Sequence, residues 1–244
     1  MTIRAIDESQ AGAAKVVGLA YLLALVPAVF AEFFVSSRLM VSGNAAQTAL
    51  NIMAHERLFR LGIASNLTVF AIDVVLITAL YMVLKPVNRS LALLAAFLGL
   101  IETATLVVVT LHDLDVLAVL SGADYLRVFE ADRLQALAQL SIRAHHDAYN
   151  VGLVFSGLRG IVFCYLWLKS GFIPTALAAL GVCSSVLLFT CTFAFITYPE
   201  LSKVVTVGYY GGPIFVFELT MGFWLVLKRL RTSRETAIGS PDHC

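Results

Sequence analysis

Asp73, Glu102, Arg159 and Glu218 are ionisable side chains set inside long apolar runs of a 244-residue chain. A charge in hydrocarbon costs from about 3 to over 10 kcal/mol depending on the measure, so such residues normally face a protein interior or a wet cavity. Three carboxylates here face one guanidinium. Arginine keeps its charge, so its partner is an ionised acid. An acid left without a cation is a candidate proton carrier. One reading is a structural Arg–carboxylate lock; the other is a polar path through the membrane. Neighbouring residues extend the set. Asn66 shares a helix face with Asp73, and Glu102 shares one with Asp113, with Thr105 close to it. His145, Tyr149, Gly152, Ser156 and Arg159 also fall on one face. That stripe either lines an outward-open cavity or packs helices closely and hydrogen-bonds between them.

A second group gathers where the apolar runs end: Glu32, His112, Asp113, Asp115, His145, His146 and Asp147. Imidazole with carboxylate is a ligand set for zinc or iron, and His112, Asp113, His145 and His146 would be the ligands. Their spacing matches no H-E-x-x-H type motif, and the reading adopted is interfacial residues in water with no metal and no cofactor. Cys164, Cys183 and Cys191 lie in apolar runs without a C-x-x-C pair, which suits small apolar fillers rather than redox or zinc chemistry. The chain has no P-loop, no G-x-G-x-x-G and no G-x-S-x-G, so nucleotide-driven pumping and serine-hydrolase chemistry lose support.

The elements that must position these groups are set by composition. Hydrophobic residues make up 59% and charged ones 14%, where a soluble domain has about 25% charged residues. The formal net charge of +1 gives no reason to expect nucleic acid. A spanning helix needs roughly 20 apolar residues, and six runs qualify: 16–36, 61–84, 91–111, 147–168, 173–197 and 210–230. Only helices satisfy their own backbone at such length in lipid, so the expected fold is all-α, a single polytopic helical bundle over 1–244. The first run is read as a retained span, although Val29-Phe30-Ala31 imitates a signal cleavage step. Gly211-Gly212-Pro213 either opens the sixth helix or kinks it; if it opens it, Glu218 lies in the outer third of the membrane.

Lysine and arginine in short loops set orientation. Arg4, Lys15, Lys85, Arg89, Lys169, Lys228, Arg229, Arg231 and Arg234 fall on one side, nine against seven on the other, which places both termini and the tail 231–244 in the cytoplasm. Two outer connections carry interfacial helices. One runs from Ala45 to Arg60 with Asn44 as N-cap; the other follows Asp124 and runs through Leu134–Leu140 into the fourth span.

The stretch Ala31-Glu32-Phe33-Phe34-Val35-Ser36-Ser37-Arg38-Leu39, with Asn44-Ala45-Ala46 and Leu58-Phe59-Arg60-Leu61-Gly62, resembles a bacterial family of integral membrane proteins, the domain of unknown function numbered 4386. Leu84-Lys85-Pro86-Val87-Asn88-Arg89-Ser90, Tyr149-Asn150-Val151-Gly152-Leu153, Lys169-Ser170-Gly171-Phe172-Ile173-Pro174 and Glu218-Leu219 ahead of Trp224-Leu225 extend the resemblance over nearly the whole chain. It implies a multi-pass protein of the bacterial inner membrane and carries no activity with it. Three functions stay open: binding or transport of a small molecule or proton, with a small-molecule ligand and the bilayer as partners; a structural or accessory role; and a membrane-embedded metal enzyme at the outer cluster. The first is favoured.

Overall fold

In the computed structural model of the chain, residues 7–41 and 44–228 are described. Arg4, Ser42-Gly43, Arg229 and the tail 231–244 lie outside them. Among the described residues all regular structure is helical: α1 (Glu8–Val29), α2 (Ser37–Leu39), α3 (Ala45–Ala54), α4 (Glu56–Leu84), α5 (Arg89–Leu120), α6 (Ala131–Ser170), α7 (Thr175–Thr197) and α8 (Val207–Leu227). A π-helical segment, Phe30–Ser36, joins α1 to α2, so that 8–39 forms one continuous rod. Six helices are long and apolar enough to cross a membrane, and the chain is a multi-pass membrane protein.

Local chemistry explains the element ends. Asp7 and Gln10 form a capping box at α1, and the Gln10 amide also donates to the Val83 carbonyl at 3.0 Å, tying the start of α1 to the end of α4. Asn44 caps α3 by accepting from the Gln47 amide at 2.9 Å, the N-cap role expected of it. Asn88 caps α5 through the Leu91 amide at 3.0 Å. Gly171 ends α6 at φ +65°, a left-handed cap that glycine adopts without a Cβ clash. Pro27 lies inside α1, where it has no amide proton to donate, and the π segment begins three residues later.

The membrane helices form a ring. α1 packs on α4, α4 on α5, α5 on α6, α6 on α7, α7 on α8, and α8 returns to α1. In each span 22% to 39% of the apolar stretch is fully buried inside the protein, so an inward stripe is covered. With lipid as apolar as the side chains, close packing rather than water exclusion must hold the helices together. Glycines supply it at two contacts: a Cβ at Gly157 would stand 2.7 Å from the Phe189 backbone nitrogen, and one at Gly18 would stand 2.9 Å from Leu225 Cβ.

Three apolar clusters fill the ring unevenly. The largest, with Val17, Leu80, Val83, Leu84, Trp167, Met221 and Leu225, closes the end where α1 begins and α8 stops, here called the terminal end. At the far end the packing divides. Val35, Leu39, Ile52, Phe59, Ile63, Val116, Leu117 and Ile142 form one cluster, while Leu188, Phe195 and Tyr210 form another.

Several boundaries correct the sequence reading. The interfacial helix expected over 45–60 breaks at His55 (φ −131°, ψ 41°), and Glu56–Arg60 are the first turns of α4. Of the two outer helices, α3 stands alone. The second is the opening of α6, a 40-residue helix entered through a short 3-10 turn, Asp124–Val128. Gly211-Gly212-Pro213 neither opens nor ends α8, which starts at Val207 with Pro213 inside it. Glu218 is therefore nine residues from the end of α8, close to mid-depth rather than in an outer third.

Candidate functional site

Helix rise sets the depth of each charge. Counted from the terminal end at 1.5 Å per residue, Asp73 and Arg159 lie roughly 17 Å along their helices, Glu102 and Tyr21 roughly 20 Å, and Glu218 roughly 14 Å. A hydrocarbon core is about 30 Å thick. Five side chains on five helices of the ring thus meet in one layer near its middle, a layer that borders the largest apolar cluster, against which Tyr21 packs.

Arg159 organises this layer. Its Nη1 donates to Asp73 Oδ1 at 2.7 Å and its Nη2 to Glu102 Oε1 at 3.3 Å. Nε stands 2.8 Å from Glu102 Oε2, close enough for an ion pair but without hydrogen-bond geometry, so that this buried oxygen accepts no hydrogen bond. The three side chains are 11%, 15% and 6% exposed for Arg159, Asp73 and Glu102 respectively. Thr103 donates to the other oxygen of Asp73 at 2.7 Å. Gly99 admits the arginine stem: a Cβ there would stand 2.7 Å from Arg159 Cδ and 2.8 Å from Ile77 Cδ1. Ser156 adjoins Glu102 one turn before the arginine. Glu218 faces Arg159 and Asp73 electrostatically from α8, yet it makes no ion pair or side-chain hydrogen bond among the described residues.

At the far end a second pair links the same two helices, α5 and α6. His145 Nδ1 and Asp113 Oδ1 are 2.7 Å apart, with side chains 16% and 5% exposed. Tyr149 stacks beside His145 at 6.4 Å between ring centroids, and His146 meets it edge-on at 5.2 Å. Glu32, in the π segment, lies within electrostatic range of His145. Tyr149 in turn is in range of Glu32, Tyr210 and Glu102. A file of polar groups therefore runs from Glu32 and His145 through Tyr149 to Glu102 and Arg159.

The structure thus brings together Asp73, Glu102, Arg159, Ser156 and Glu218, and separately joins Asp113, His145 and Tyr149. It does not bring Asn66 into the layer: the half-buried amide makes no hydrogen bond among the described residues. His112 stands 3.6 Å from Asp115 on its own helix. His146 and Asp147 are exposed. Among the described residues no three His, Cys, Asp or Glu side chains converge as a metal-binding group. Thr105 bonds only to the Ile101 carbonyl of its own helix. Sequence reasoning missed Thr103, Gly99 and Tyr21. Gly99 stands one turn before Glu102 on a face of small side chains that includes Ala92 and Ala95, and that was the available signal.

The model of one family, Domain of unknown function (DUF4386), matches residues 16–228. The chain belongs to this family. The match runs from the first span to the end of α8 and so includes every residue of the polar layer and of the far-end pair. No curated protein and no solved structure matches the chain.

Proposed function

We propose that this family member binds or transports a small molecule or a proton through the polar interior of its helix ring. One observation carries the reading: Glu218 faces a guanidinium already committed to Asp73 and Glu102. A third carboxylate at mid-depth needs a proton, a cation or a cationic group of a ligand to neutralise it. A purely structural lock has no use for it. The apolar plug at the terminal end and the divided packing at the far end suit an interior reached from the far side.

The positive residues Lys85, Arg89 and Lys169 in the tight loops favour the terminal end as the cytoplasmic side of a bacterial inner membrane. In that orientation the interior opens outward.

The test uses the whole protein in liposomes with a pH-sensitive dye trapped inside and a potassium gradient clamped by valinomycin. Proton entry above that of empty liposomes is expected, reduced about tenfold or more in Glu218→Gln. A Glu218→Gln variant as active as the wild type would remove Glu218 from the pathway. Wild-type liposomes no leakier than empty ones, with no stabilisation by small amines or acids in a melting screen, would leave the lock as the function. That second reading has its own support, since every nitrogen of Arg159 is engaged by Asp73 or Glu102.

A further inference from the structure

We infer that His145, held by Asp113, is the group that takes up the proton at the far-end mouth of the ring; this rests on the proton-pathway form of the proposed function. Asp113 is buried, and His145 is the one described side chain that pairs with it. Burying a carboxylate that deeply is tolerated only where a donor faces it. The carboxylate accepts, so the hydrogen lies on Nδ1, and the Nε2 lone pair on the opposite ring edge is left to receive a proton.

The remaining groups around the ring are few. Glu32 approaches from the π segment, Asp113 from α5, and His146, Asp147 and Tyr149 stand on α6 itself. α3 also packs on α6, and its residues Ala45–Ala54 include no titratable side chain. The imidazole therefore has one carboxylate that fixes it, Asp113, and a second, Glu32, within electrostatic range.

The step moves a single proton and no electrons. A hydronium ion at the mouth gives a proton to Nε2 and leaves as water, forming an imidazolium beside Asp113. The proton then leaves Nε2 inward, and the neutral Nδ1–H form is restored. From His145 to Arg159 is roughly 21 Å along α6, too far for one transfer. The hydroxyls of Tyr149 and Ser156 stand between them on the same face, with Glu102 in range of both. The acceptor at the end of the path is Glu218.

Dye-loaded liposomes test this directly. His145→Gln keeps the size and a donor for Asp113 but cannot carry the proton, and uptake is expected to fall about tenfold or more. Asp113→Asn should fall similarly by releasing the imidazole from its tautomer. Added imidazole should restore part of the rate in His145→Ala and none in Glu218→Gln, a distinction that loss of folding would not produce. Wild-type uptake in His145→Gln, with Glu218→Gln still impaired, would overturn the role of His145 and leave the proposed function standing. Failure of imidazole to restore a His145→Ala protein that melts like wild type would overturn it as well. Absence of uptake by the wild type would overturn the role of His145 and the proton-pathway form of the proposed function together.

Discussion

At the scale of single residues, Arg159 is the side chain whose removal should matter most. Arg159→Ala leaves Asp73 and Glu102 facing each other in the middle of the membrane without a cation, and breaking a buried pair from one side costs about 3–5 kcal/mol. Denaturation in detergent should show a loss of that size. The exposed pair of Arg60 and Glu56 has the same 2.7 Å separation but lies in water, and Glu56→Gln should change stability by less than about 1 kcal/mol. An equal loss in the two variants would mean that Arg159 is solvated. Thr103→Val tests the outer support of Asp73, and should cost about 1 kcal/mol through the lost hydrogen bond. The charges themselves were legible in the sequence, because any ionisable residue within an apolar run stands out. The pairing was not. Spacing along one helix gives the face a residue occupies, but which faces meet depends on the order of helices around the ring.

At the scale of elements, glycine positions separate close packing from helix propensity. Gly157→Ala would drive a methyl against the backbone of Phe189 on α7, which has no rotamer to yield, and should destabilise by about 1–3 kcal/mol. Gly12, inside α1, has nothing within 4 Å of its Cβ position, so Gly12→Ala should stabilise by about 0.5–1 kcal/mol. Melting temperatures moving the same way in both variants would refute this division. The helix start at Asn44 was readable, since capping is local chemistry. The break at His55 was not: His55 makes no side-chain cap to α4, and the stretch 45–60 continues an amphipathic pattern through it. The continuation of α6 back to Ala131 was only partly foreseen, because a polar helix above the membrane lacks the apolar run that marks a span.

For the whole molecule, two measurements bear on orientation and on metal. Alkaline phosphatase fused after Lys85 should be inactive and fused near Gly122, in the far-end connection, active; the reverse pattern would invert the protein. Purified protein should hold no stoichiometric zinc or iron, and a chelator should leave its melting unchanged. Metal that disappears in His145→Ala or His112→Ala would instead bring the enzyme reading forward, since metal bound only by the folded state adds several kcal/mol at saturation. The bundle and its six spans followed from run length alone. The ring did not, because nothing in a run of apolar residues says which neighbour it will touch.

The wide sequence separation of the central ion pairs also fixes an order of events during synthesis. Asp73 precedes Arg159 by 86 residues and Glu102 precedes it by 57, so both carboxylates leave the ribosome and enter the bilayer before their cation exists. Each costs about 2.5–3.5 kcal/mol at the centre of a lone helix on the scale set by the insertion machinery. α4 and α5 offset this as the two most apolar of the six spans, whereas α8, which brings Glu218 last, is the least apolar. Its entry into lipid should therefore depend on a finished groove between α1 and α7. A chain truncated before α6 should insert and then be degraded, while one carrying Gly18→Leu should translate in full and leave α8 stranded outside the bilayer, where a protease added to membrane vesicles would remove it.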